Sequence, residues 1–242
     1  MARLLPTLLL FPLAALAQTR CQWANLRSSA DLYTESQTFG TTSDLIFSSS
    51  SFSYLENSTP VNLTDSLLNT PLKIAYSHSI IDQDGCATFS KLIITGTPSL
   101  VIGTQIFYES TLKNGQLPIK KIDTVIIEEK NTTGVLGHVK KENWESFTRA
   151  VQDSREVLVK AVDGWLDGGS VWGETCATLT GSTFSEGEPC SQGLGQVANI
   201  SAANRRYVVD ESVGAVSVLS DVGGVEARVV GGKLRYVHLF RY

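Results

Sequence analysis

Apolar and polar positions alternate with period two near the end of the chain, over 204–240. Tyr207 and Val209 fall on one face, Val225, Ala227 and Val229 on another, and Leu234, Tyr236, His238 and Phe240 on a third. Glycine turns join these three runs. Gly231-Gly232 supplies the positive φ of a tight hairpin, and Ser212 to Gly214 turns the chain one step earlier. The pattern predicts an antiparallel meander.

Upstream, the same alternation predicts strands over 74–82, 86–95, 100–109 and, after the Asn114-Gly115 turn, 121–128. Two stretches have helical spacing instead. Over 23–37, Leu26, Ala30, Tyr33 and Gln37 share a stripe that ends at Gly40. Over 144–166, Phe147, Val151, Leu158, Val162 and Trp165 share another, stopped by Gly168-Gly169. Between the two sets, EKNTTGVLGHVKKEN mixes charge, glycine and a glycosylation sequon and reads as a linker. The halves therefore follow one plan: helix, short irregular strand, connecting segment, strand meander. Their ends match best, IKKIDTVII from Ile119 against GKLRYVHLF from Gly232. The expected organisation is a signal peptide at 1–17, a first repeat at 18–129, a linker at 130–143 and a second repeat at 144–242. A single larger α+β domain is the alternative.

The opening MARLLPTLLLFPLAALA has one cation, Arg3, an apolar run and small residues at Ala15 and Ala17. It reads as a secretory signal peptide, too short to span a membrane. No later apolar run is long enough to span, so the expected product is secreted. In that compartment Cys21, Cys86, Cys176 and Cys190 imply two disulfides, for which three connectivities exist. Cys176 and Cys190 flank a Gly/Ser-rich segment and are paired with each other, leaving Cys21 for Cys86. Sequons at Asn57, Asn62, Asn131 and Asn199 lie in polar, turn-rich surroundings. Acidic residues number 24 against 20 basic ones, and the basic pairs Lys120-Lys121, Lys140-Lys141 and Arg205-Arg206 are scattered, which argues against nucleic acid as a partner.

A long helix across a curved antiparallel sheet makes a cone with room between helix and sheet. The phrases NRRYVVDE, VGAV, VVGGKLRYVH, VWGETCATLTG, SHSIIDQDGCATFSKLI and VIGTQI resemble a family of secreted fungal proteins of largely unknown function. The halves resemble the cone fold of nuclear transport factor 2 (NTF2-like), ketosteroid isomerase, scytalone dehydratase and SnoaL-type cyclases. In size, export signal and inferred fold the chain is similar to ketosteroid-isomerase-like cyclases of fungal maleidride pathways. The resemblance implies an α+β fold of two tandem NTF2-like repeats. It also implies cofactor-free acid-base chemistry (cyclase, isomerase or lyase) on a small polyketide-derived substrate. The same fold also hosts non-catalytic binding proteins, and a secreted glycoprotein with filled cones is the second reading.

The catalytic candidates follow from the faces. His238 shares the apolar face of its strand, so it would sit in the second cone as a general base, tuned by Asp163 or Asp210. His78 alternates with Tyr76, Ile80 and Asp82, and the helical Asp31 and Tyr33 would approach it across the first cone. Tyrosine, histidine and carboxylate together suit enolisation or dehydration. The plainer reading makes both histidines ordinary hydrogen-bonded strand residues, and His138 a solvated linker residue. Arg206 and Tyr236 are the candidate binding residues; of the adjacent Arg205 and Arg206, which could clamp a carboxylate, at most one faces the pocket, and the other pairs with Asp210 or Glu211. Three histidines far apart give no metal spacing, and no nucleotide or redox cofactor motif is present: GGSVW lacks the last glycine of a nucleophile elbow, and Leu234 stands where a phosphate loop needs Ser or Thr. The expected partner is a small molecule, with homo-oligomerisation left open.

Overall fold

A computed structural model describes residues 21–168, 176–180, 183–188, 190 and 204–241. The expected signal peptide and the Asn199 sequon lie outside the described residues. The first helix, α1 (Trp23–Phe39), buries Leu26, Ala30, Tyr33 and Gln37 as its spacing predicts. Gly40 ends it in the left-handed conformation at φ 63°, with its N–H bonded to Ser36. Here glycine is required twice over, since a Cβ would also come within 2.4–2.8 Å of Thr70 and Pro71.

After α1 come β1 (Ser53–Glu56), β2 (Thr59–Pro60), β3 (Ile74–Asp82), β4 (Ala87–Ile94), β5 (Leu100–Tyr108) and β6 (Ile119–Glu128). They form one sheet in the order β2-β1-β6-β5-β4-β3. The second set is α3 (Arg155–Leu166), β7 (Cys176–Thr180), β8 (Thr183–Glu188), β9 (Arg206–Asp210), β10 (Ala215–Ser220), β11 (Gly223–Val230) and β12 (Lys233–Phe240), in the order β8-β7-β12-β11-β10-β9. The two orders are the same plan. In each, the strand after the helix pairs in parallel with the last strand of the meander, β1 with β6 and β7 with β12. Both sheets are therefore mixed, where the sequence pattern predicts purely antiparallel ones. The parallel strand is short and lies far from its partner in sequence, so no hairpin signal announces it.

Alternate residues of each strand serve two layers. On one side of the first sheet, Leu92, Ile94, Ile102, Ile106 and Ile122 pack on Leu26, Ala30 and Tyr33 of α1. On one side of the second, Val216, Val218, Val225, Ala227, Val229 and Val237 pack on Leu158, Val162 and Trp165 of α3. A third core lies between the sheets, where Ile80, Phe89, Ile93, Val101 and Val125 meet Val208, Ala215, Leu219 and Phe240. Burying each large apolar side chain contributes about 1.5–3 kcal/mol, so all three layers help hold the molecule. The architecture is helix, sheet, sheet, helix, with the halves docked through their sheets.

Five sequence expectations need correction. The closing meander has four strands, not three, because Ala215–Ser220 pairs with both β9 and β11. Leu234 does not share a face with Tyr236, His238 and Phe240. The register slips between Arg228 and Val229, leaving Arg235 without a partner. This bulge turns Leu234 toward α3 with Val237 and Leu239. An equivalent slip lies between Phe107 and Tyr108, skipping Lys120, so the best match of the two halves sets Ile119 against Leu234, not Gly232.

The second helix begins at Arg155, not Trp144. Over 144–154 the backbone is tied elsewhere, with the Phe147 N–H bonded to Ser212 O at 2.6 Å and Glu145 O accepting from Arg228 at 2.9 Å. Val151 is accordingly exposed. Finally, the linker contains a helix, α2 (Thr132–Val139). The Asn131 side chain caps it by accepting the Gly134 N–H, and Val135 and Val139 face the inter-sheet core.

Both expected disulfides are present, Cys21–Cys86 and Cys176–Cys190, which fits an oxidising compartment. Among the described residues, no helix is long and apolar enough to cross a membrane.

Candidate functional site

The structure separates the residues expected to act together. Tyr33 lies in the filled interior between α1 and its sheet, its hydroxyl 2.7 Å from Thr104 Oγ1, which is 3.1 Å from Thr124 Oγ1. Burial pushes the Tyr33 phenol well above its ordinary pKa, against the Thr104 hydrogen bond. Asp31 is on the exposed side of α1, paired with Arg27 at 3.0 Å. His78 is on the other face of the sheet from Tyr33. It does share a surface groove of about 300 Å3 with Asp31, lined also by Thr34, Ser77 and Ser79.

His238 is likewise on the inter-sheet face rather than in the second cone, because its strand alternates Val237 and Leu239 toward α3. It is the hub of a buried charged cluster drawn from both halves. Its Nε2 is 2.6 Å from Glu142 Oε1, and its Nδ1 is 2.9 Å from Glu226 Oε2 and 2.6 Å from Lys91 Nζ. Lys91 donates to Glu226 Oε2 at 2.5 Å, and His78 Nε2 lies 3.6 Å from Glu226 Oε1. Trp144 covers the group. Its Nε1–H donates to Glu142 at 3.0 Å, its ring is 4.6 Å from that of His78, and Lys91 Nζ is 5.5 Å from its centroid.

Charge balance explains the protonation states. Burial and Lys91 oppose a proton on His238, but Glu142 and Glu226 outweigh them, and its pKa is raised. Burial opposes charge on Glu226 too, yet Lys91 and the two imidazoles hold its pKa well below the carboxylate range. His78 has no strong acceptor, and burial lowers it to about 4. With Lys91 and His238 as cations and Glu142 and Glu226 as anions, the cluster is neutral. Protonated His238 donates through Nδ1 to Glu226 and through Nε2 to Glu142, so Nδ1 accepts nothing from Lys91, which is bonded to Glu226. The adjoining cavity, lined by Lys91, His238, Val101, Leu179 and Phe240, measures about 10 Å3, room for about one water. No substrate fits there. The carboxylates tuning His238 are Glu142 and Glu226, whereas Asp163 pairs with Arg205 and Tyr207, and Asp210 accepts from Ile81 N.

Space for a ligand exists nearby. A cavity of about 450 Å3 is lined by Asn143, Cys176, Ala177, Glu186, Gly187, Arg228, Val230, Arg235 and Tyr236. Tyr236, a predicted binding residue, belongs to it, and its ring is 5.7 Å from that of Trp144, so the cavity backs onto the charged cluster. Arg206 is elsewhere. It crosses between the sheets to Asp123 at 2.7 Å and reaches Asp221 at 3.2 Å. Arg205 pairs with Asp163 and Asp167 rather than Asp210 or Glu211. His138 is not simply solvated; it stacks on Phe184 at 3.7 Å.

Sequence reasoning missed Lys91, Glu142, Trp144, Glu226 and Arg228. A signal was present for three of them. ATFSKLII and GGVEARVV each carry a charge at an alternate position of an otherwise apolar strand, which is costly unless a facing group answers it.

Fold and site together define an α+β protein of two docked helix-and-sheet units, with a buried ionic cluster between them and a polar cavity at one edge. Residues 151–242, taking in α3 and β7 to β12, match the model of a family described as a domain of unknown function (DUF8021). No curated protein matches the chain.

Proposed function

We propose that the chain is an exported pair of NTF2-like units fused in tandem that binds a small organic molecule in the cavity bordered by β7, β11 and β12. The observation carrying this reading is the distribution of space. Tyr33, Leu26 and Trp165 fill the helix-side interiors, and the histidine cluster is sealed, whereas the 450 Å3 cavity lies within the size range of small-ligand sites and has converging polar groups. The repeated sheet order, each with its single parallel pairing, supports the NTF2-like assignment. Two disulfides support export. Binding of a chemically diverse panel of small compounds, followed through tryptophan fluorescence, tests the reading. Saturable binding is expected in the wild type and absent from Glu186→Trp, which fills the cavity mouth. Binding that survives this substitution would place the ligand elsewhere.

One observation favours a second reading, a cofactor-free cyclase, isomerase or lyase acting on a polyketide-derived compound. Tyr236 and Glu186 line the same cavity as Arg228 and Arg235, giving a proton donor, a base and cations for a developing oxyanion. On this reading Tyr236→Phe lowers turnover of a bound compound, measured by mass spectrometry, by about 10²–10⁴. His78→Phe leaves turnover in place.

A further inference from the structure

Arg228 is buried, with 5 % of its surface exposed, yet it has no carboxylate within ion-pair distance among the described residues. Its Nη1 donates to Asn143 Oδ1 at 3.2 Å and its Nη2 to the Glu145 carbonyl at 2.9 Å, both uncharged acceptors. Its Nε–H is buried and has no hydrogen-bond partner. Aromatic rings hold the guanidinium in place, with Phe147 at 4.7 Å and Trp144 at 6.0 Å from Cζ. A buried cation is ordinarily matched by an anion, and Lys91, the other buried lysine or arginine among the described residues, has Glu226.

The side chain lines the 450 Å3 cavity, where a second guanidinium, Arg235, projects from the β12 bulge. Tyr236 accepts the Asn143 N–H at 3.2 Å through its hydroxyl oxygen, so its own O–H is left to donate. Against these stands one carboxylate in the lining, Glu186. Among the described residues the cavity thus carries two cations, one anion and a phenolic donor.

We infer that this cavity takes a small molecule bearing a carboxylate, with Arg228 as its buried anchor and Arg235 and the Tyr236 hydroxyl as secondary contacts. The inference rests on the ligand-binding reading above and names the chemical class of its ligand. A planar guanidinium held rigidly by stacking suits a carboxylate, whose two oxygens match its fork.

The test is calorimetric titration of the full chain with 1-naphthoate and with its neutral counterpart 1-naphthamide, which share size and shape. Naphthoate is expected to bind more tightly by about tenfold or more, a preference that weakens with added salt. Arg228→Gln should abolish the preference. Because Arg228 also packs on Trp144 and Phe147, Arg235→Gln on the exposed bulge provides a second arm, expected to cost naphthoate several-fold in affinity with an unchanged melting temperature. Equal binding of the two probes, both lost in Glu186→Trp, would overturn the carboxylate assignment and leave the cavity as a ligand site. Binding of neither probe at millimolar concentration overturns the carboxylate assignment as well, while the panel experiment judges the ligand-binding reading separately. A folded Arg228→Gln protein that keeps the naphthoate preference also overturns it.

Discussion

Asp82 and Asp210 make the same contact in opposite directions. Asp82 Oδ2 accepts the N–H of Val209 at 2.9 Å, and Asp210 Oδ2 accepts the N–H of Ile81 at 2.9 Å. Each aspartate ends the first meander strand of its half, and each bonds the residue just before the other. Both carboxylates are buried, so the pair works as a two-fold clasp at the seam. Asp82 in addition binds Arg155 at 2.7 Å and caps its own turn through Gly85 N.

Removing either carboxylate leaves a buried N–H unanswered, which costs about 1–3 kcal/mol. Asp82→Ala should destabilise more than Asp210→Ala, since it also strips Arg155 of its partner. The double variant should lose less than the sum, because the two contacts close the same seam. Urea unfolding monitored by tryptophan fluorescence measures all three; strict additivity would show that the halves are not coupled there.

The two disulfides should differ in worth. Cys21–Cys86 closes a span of 65 residues and Cys176–Cys190 one of 14. The chain-entropy relation gives about 4 kcal/mol for the first and about 3 kcal/mol for the second. Paired Cys→Ser variants compared by chemical denaturation should show that order. A larger loss from Cys176/Cys190 would locate the stabilisation in the native fold instead of the unfolded chain.

Much of the fold was legible because its signals are local. The α1 stripe from Leu26 to Gln37, the Gly40 stop and the strand over Ile74–Asp82 all follow from spacing within a few residues. What escaped depends on distant partners. The parallel pairing of Tyr54 with Ile122 leaves no turn signature, and the bulge at Arg235 reverses the apparent face of Leu234 within a run that alternates cleanly. The same reversal misplaced the candidate site. Period two groups His238 with apolar neighbours correctly, but which side of a sheet faces a helix and which faces a second sheet is decided by docking. Glu142 reaches His238 from a connection whose composition reads as a linker, and Trp144 from a stretch whose spacing reads as helix although the helix starts only at Arg155.

The sequons within the described residues are unequal. Asn62 and Asn131 are exposed, and the Asn131 cap uses its Oδ1 while its Nδ2 stays available. Asn57 is half-buried and engaged at both ends of its amide, donating to Ile126 O at 3.2 Å and accepting from Ile126 N at 2.8 Å. In a chain expressed through the secretory pathway, glycopeptide mass spectrometry should find occupancy at Asn62 and Asn131 and little at Asn57. Asn57→Asp should lower stability by about 1 kcal/mol without removing a glycan. High occupancy at Asn57 would mean that the turn forms differently in the secreted protein.

The histidine cluster makes stability depend on pH in two opposite ways. His78, lowered to about 4, resists a proton that the unfolded chain accepts near 6.5, so stability falls as pH drops from about 6.5 toward 4. Glu226 reinforces this limb, because its depressed pKa contributes stability that is lost as pH falls below the usual carboxylate value. His238 has a raised pKa, so its contribution is whole below about 6.5 and disappears as pH climbs through the folded value. Stability should therefore peak near pH 6.5, with limiting slopes of about 1.4 kcal/mol per pH unit for each proton. His78→Phe should flatten the acid limb above pH 4.5, and His238→Asn the alkaline one. Lys91→Met, which leaves buried Glu226 with only the imidazoles against its charge, should cost about 3–5 kcal/mol, much of it recovered when Glu226→Leu is added. Unfolding free energies measured across pH 4 to 9 decide the matter: a curve that falls on only one side, or a His238→Asn protein with an unchanged alkaline limb, would show that the imidazole does not carry the charge that Glu142 and Glu226 call for.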